Sequence, residues 1–185
     1  MTYNSLELLE SLQADVRALI LRATQLKGLP QNLLIQAPAP GKWSVAQALE
    51  HLNAYGRFYL PAIAHSLETG KPAVPAFHPG WFGNYFTRIM KPGKDGRIGN
   101  KMSAPKSYHP PVQAAALPVI ETFLEQQQEL LRLLEKAKSK NIGAIRTPIS
   151  LTALIRLKTG DTFRFLIAHE QRHFLQVENT LQLLG

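Results

Sequence analysis

The sequence predicts an all-α fold, a four-helix bundle spanning residues 1–185 as one domain, with a long loop between the second and third helices. Three observations carry that reading. Four long stretches repeat apolar residues at helical spacing. No segment alternates convincingly enough to be a strand. The one long interruption, Gly70 to Pro111, holds seven of the 13 prolines and six of the 12 glycines. Four amphipathic helices without a sheet bury their apolar stripes against one another.

The first helix runs from about Ser5 to Lys27, where Leu6, Leu9, Leu12, Val16, Leu19, Ile20 and Ala23 form the stripe. Gly28 and Pro30 stop it. Leu29 to Gly41 carries three prolines and reads as a connection. The second helix opens on a capping box, with Ser44 as N-cap and Gln47 reaching back; Trp43 is placed to staple onto Ala48. It continues through His51, Tyr55 and Phe58 to Thr69-Gly70. Pro61 inside it removes a backbone donor and is expected to kink or split it.

The long loop reads as a flap, aromatics inward and lysines outward, with a short helix over Trp81 to Met90. The third helix covers about Val112 to Lys138, Pro118 marking a first turn. Thr147 to Thr159 is ambiguous; Ile149, Leu151, Leu154, Ile155 and Leu157 could form one or two helical turns. The fourth helix starts after Gly160, with Asp161 as its expected N-cap, and contains Phe165, Leu166, Phe174, Val177 and Leu181.

Composition narrows the function. The chain is 45% hydrophobic and 18% charged, as a globular protein is. It has no apolar run of membrane-spanning length and no signal-peptide order, so a cytoplasmic protein without membrane attachment is expected. The absence of cysteine leaves nitrogen and oxygen as the only metal donors. The net charge is +8, with Lys91, Lys94, Arg97, Lys101 and Lys106 crowding one loop against Asp95 alone. No nucleic-acid motif accompanies these cations. They read as a solvated loop that attracts an anionic small molecule rather than as a nucleic-acid site.

The chemistry centres on His169-Glu170-Gln171-Arg172-His173. Imidazoles four residues apart stack on one helix face, about 6 Å apart along the axis. His51 lies on the inward stripe of the second helix and supplies a third ligand. His65 is fourteen residues further on, about 21 Å along the axis, and cannot share an ion with it. His78 and His109 adjoin prolines in the loop and read as surface residues. Three neutral imidazoles leave a coordination position for water or a substrate thiol. Gln176, one turn past His173, and Tyr55 are placed to orient what binds. Glu170 and Arg172 point to the sides and read as helix surface. The alternative is three unrelated histidines, each hydrogen-bonded on its own. The five residues also match H-E-x-x-H, with Glu170 as general base of a protease. The later glycine and histidine of the extended motif are replaced by Gln176 and Asn179, which argues against that reading.

The segment Pro40-Gly41-Lys42-Trp43-Ser44-Val45-Ala46-Gln47-Ala48-Leu49-Glu50-His51-Leu52, followed far downstream by His169-x-x-x-His173-x-x-Gln176, resembles the DinB-like (DinB/YfiT) superfamily over nearly the whole chain. That resemblance implies an up-down-down-up bundle, a divalent ion such as Zn2+ or Ni2+, and a homodimer. Carried over residue by residue, it makes His51, His169 and His173 the ligands. It further implies a thiol-dependent S-transferase using a low-molecular-weight thiol, or a metal-dependent hydrolase. The rival expectation is a non-catalytic interaction protein with a vestigial site, suggested by the aromatics Trp81, Phe82, Tyr85 and Phe86.

Overall fold

A computed structural model describes residues 1–93, 103–112 and 114–185. Lys94, Asp95, Arg97 and Lys101 of the basic loop lie outside the described residues.

In chain order the elements are β1 (Tyr3–Asn4), α1 (Ser5–Leu26), α2 (Gln31–Ile35), α3 (Val45–Glu68), β2 (Ala76–Phe77), α4 (Trp81–Met90), a 3-10 turn (Lys106–Tyr108), α5 (Ala116–Ala137), β3 (Arg146–Ile149), β4 (Thr152–Lys158) and α6 (Thr159–Leu184). The expectation of a simple four-helix bundle without strands is therefore corrected. The described residues form six helices and two small antiparallel pairs, β1 with β2 and β3 with β4.

Packing follows the stripes. The longest helices touch as α5 on α3 and α1, and α6 on α3 and α1. Leu9, Leu12, Val16, Tyr59, Ile63, Leu130, Leu134 and Phe163 are buried in one apolar cluster; Leu19, Ala23, Leu49, Leu52, Ile120, Phe123 and Phe174 fill another. Leu6, expected in the stripe of α1, is instead half exposed. The capping box of α3 forms as expected: Gln47 N–H donates to Ser44 Oγ, and Ser44 N–H to Gln47 Oε1. Pro61 does not split α3, which is continuous from Val45 to Glu68. It lies on the exposed face, where water can satisfy the carbonyl that loses its partner. The third long helix, α5, begins at Ala116 rather than Val112, with Pro118 in its first turn, where a missing N–H costs nothing.

Two corrections share one cause. Arg146 to Lys158 forms a hairpin rather than helical turns, because its β-branched and apolar residues pair strand to strand, Thr147 opposite Leu157 and Ile149 opposite Thr152. That hairpin delivers the chain directly into α6, which starts at Thr159. Asp161 is thus inside the first turn and not the N-cap. The first N–H groups of α6 are satisfied by loop carbonyls instead: Thr159 N–H by Ile145 at 3.0 Å and Gly160 N–H by Ile142 at 3.1 Å. Asp161 turns to other partners. It accepts from Gly80 N–H at 2.7 Å and from Arg164 at 3.0 Å, fastening the start of α4 to α6.

The helix expected over Trp81 to Met90 is α4. Its aromatics do not all point inward. Trp81, Phe82 and Tyr85 are 75%, 58% and 51% exposed. Small residues bury the contact face instead, Gly83 and Thr87, with Phe86 and Met90 packing partly on the core.

Candidate metal centre

His51 comes from the middle of α3; His169 and His173 come from successive turns of α6. The two helices pack together and bring one nitrogen of each ring within 4.8 Å of the others. Nε2 of His169 lies 3.3 Å from Nε2 of His51 and 3.0 Å from Nε2 of His173. Donors of a tetrahedral zinc site, each about 2.0–2.1 Å from the ion, stand about 3.3 Å apart, so these separations fit that donor set.

The outer nitrogens decide what the inner ones can do. His51 Nδ1 donates to the Tyr108 carbonyl at 2.7 Å, and a carbonyl only accepts. His173 Nδ1 donates to Gln176 Oε1 at 3.0 Å. In the neutral rings both Nε2 atoms therefore carry lone pairs. Burial lowers the pKa of all three histidines: His51 below its usual range, His173 to about 3, and His169 well below its usual range, with the neighbouring imidazoles adding repulsion. All three rings are neutral at pH 7. His169 can offer one Nε2 proton, yet two close nitrogen contacts surround it. Its Nδ1 is buried without a partner among the described residues. A shared divalent cation would satisfy the three inner lone pairs at once, and the outer nitrogens of His51 and His173 are oriented by hydrogen bonds as those of metal-ligating histidines are.

The surroundings are aromatic. The Tyr55 ring lies 5.0 Å from that of His51 and 4.5 Å from that of His169. The Tyr108 ring lies tilted against that of Tyr55, with centroids 4.3 Å apart. Trp43 lies 4.9 Å from His51 and 6.1 Å from His173. Burial raises the Tyr55 phenol, which stays protonated. His65, His78 and His109 are exposed and contribute no nitrogen to the cluster.

Glu170 and Arg172 are not helix surface: they are 3% and 7% exposed. Glu170 Oε1 accepts from Gln127 Nε2 of α5 at 3.0 Å, and burial pushes its carboxyl up to about 8. A carboxyl mostly protonated at pH 7 and bonded to α5 is unsuited to be the base of an H-E-x-x-H protease. Trp43 and Tyr108 are the site residues that spacing did not reveal. Trp43 was legible only as a staple, and Tyr108 acts through its backbone carbonyl, which no side-chain motif marks.

Helices that bring three neutral imidazoles to one point define a helical protein with a candidate metal site. A model of the DinB superfamily matches residues 8–177, and the chain belongs to that superfamily. No curated protein and no solved structure matches it. No helix of the described residues is long and apolar enough to cross a membrane.

Proposed function

We propose that this protein is a metal-dependent enzyme that activates a small-molecule thiol for S-transfer. The observation that carries the reading is the convergence of three Nε2 lone pairs from His51, His169 and His173, two of them held in place by Tyr108 and Gln176. Those three rings would hold the ion, zinc by the fit of neutral nitrogen donors, with nickel as the second choice. When bound, a divalent ion supplies the Lewis acidity that lowers the pKa of a thiol or water beside it.

The chain's own residues do the rest. The ligand set is uncharged, and Glu170 is turned away toward Gln127, so no protein carboxylate in the ligand set competes with an anionic sulfur. Tyr55 and Trp43 exclude water from two sides and strengthen the electrostatics of the enclosed site. Gln176 keeps the His173 ring in register, and its role in this reading is positioning rather than proton transfer. Lys91 and Lys106 favour approach of an anionic substrate. Hydrolysis through water is the second reading, favoured by the same neutral donor set.

The test is a thiol-conjugation screen on untagged protein, with and without a chelator, beside His51→Ala. Turnover that is lost with chelator and in the variant supports the proposal. Conjugation that survives both contradicts it.

A further inference from the structure

A second site lies at the far end of α3. A cleft of about 410 Å³ opens between the last turns of α3, the loop after it, and the β3–β4 hairpin. Its walls carry Lys71, Arg146, Arg156 and His65, together with the apolar surface of Ile145; the Ser66 hydroxyl beside them donates to the carbonyls of Ala62 and Arg146. Among the described residues no carboxylate lines it. His65 is fourteen residues from His51, about 21 Å along the helix, so the cleft is separate from the histidine cluster.

Part of this positive charge answers local needs. Arg146 Nη1 donates to the carbonyls of Gly143 and Ala144 at 2.8 and 3.3 Å, and Lys140 Nζ reaches the Gly70 carbonyl at 3.5 Å. His65 pairs with Glu68. Lys71, Arg156 and the remaining edge of Arg146 are not accounted for. Among the described residues none of these three has a carboxylate within ion-pairing distance. Arg22, Arg57, Arg132 and Arg164 elsewhere all do.

The hairpin register sharpens the point. Arg146 stands directly across from Lys158, and Arg156 across from Pro148, which puts Arg146 and Arg156 on the same face of a two-stranded sheet as Lys158, whose Nζ donates to the His78 carbonyl at 2.6 Å. Like charges directly opposite each other destabilise a strand pair. The platform beneath is held rigidly by backbone bonds from Asn141 N–H to the Lys71 carbonyl, 2.8 Å, and from Ala73 N–H to the Ser139 carbonyl, 3.1 Å. A concave surface, guanidinium and ammonium groups without a carboxylate partner among the described residues, and an apolar wall match a phosphoryl group on a compact organic body.

We propose that this cleft binds the phosphoryl group of a small phosphorylated molecule, independently of the metal centre. Arg156 and Arg146 present planar donor edges, and Lys71 adds a point charge. The volume suits a metabolite-sized ligand.

Calorimetric titration of the full chain with pyrophosphate, at low and at moderate salt, tests this. The comparison is between wild type, the exposed double variant Lys71→Gln/Arg156→Gln, Arg156→Lys, and His51→Ala. Circular dichroism checks that each is folded. The expected result is binding that weakens with salt, falls at least tenfold in the double variant, is partly restored in Arg156→Lys, and is unchanged in His51→Ala. Pyrophosphate should also raise the melting temperature of wild type and not of the double variant. No pyrophosphate binding overturns the proposal. So does equal binding by wild type and a folded double variant, or binding that disappears only in His51→Ala.

Discussion

Gln176 Oε1 accepts the Nδ1 proton of His173 at 3.0 Å, one turn along α6, and so turns Nε2 of that ring toward His169. Without this bond, nothing at the ring's outer edge distinguishes its two nitrogens. Gln176→Leu is therefore expected to weaken Zn2+ affinity by about 10–100-fold, the usual cost of losing an outer-shell partner, while leaving the helix content unchanged. Competition titration against a chromophoric chelator measures it. Gln176→Glu should retain most of the affinity, because a carboxylate also accepts from Nδ1.

Glu170 yields a stability prediction. Its carboxyl is pushed up to about 8 by burial, from an ordinary value of 4.5, so the folded protein keeps a proton that the unfolded chain releases. Stability from this group is full below pH 4.5 and is lost as pH rises to about 8, a change on the order of 3–5 kcal/mol. Glu170→Gln, which cannot ionise, should remove that slope. Urea unfolding of ion-free protein at pH 6, 7 and 8.5 would show the variant gaining on wild type at each step.

The histidines have the opposite sign. Their folded pKa values are lowered, to about 3 for His173, while unfolded imidazoles titrate at 6.5. The unfolded chain takes up protons that the folded one refuses, so stability falls as pH drops below 6.5. In the Glu170→Gln background, ion-free protein should lose about 3 kcal/mol from His173 alone between pH 7 and pH 4, with His169 and His51 adding to the loss, as read by chemical unfolding.

Much of this arrangement was legible beforehand, for identifiable reasons. The His169–His173 spacing is local, and helical periodicity puts both rings on one face without any knowledge of the fold. The start of α3 was legible because Ser44 and Gln47 satisfy each other within one turn. The hairpin was not, because a short apolar run such as Ile149 to Leu157 has no periodicity of its own and is decided by its pairing partner. Asp161 was misplaced as a cap because two distant carbonyls, of Ile142 and Ile145, take over that task. The exposed faces of Trp81, Phe82 and Tyr85 were read as inward because residue type alone does not reveal that Gly83 is the contact.

Gly83 permits that close approach. A β-carbon there would stand 2.4 Å from Cβ and Cγ of Asp161 and 2.6 Å from Oδ2. Gly83→Ala should destabilise the protein by about 1–3 kcal/mol through overpacking. Thermal unfolding measures the loss. Zn2+ uptake should stay the same, because Asp161 lies about two turns from His169 and about three from His173 on α6.

The central claim is that three imidazoles from α3 and α6 form one ion site. Elemental analysis after dialysis of untagged protein against Zn2+ tests it most directly, beside His51→Ala and His169→Ala. The account predicts one ion per chain in wild type and a large loss in either variant. Wild-type protein that takes up no ion, or variants that retain it fully, would contradict it.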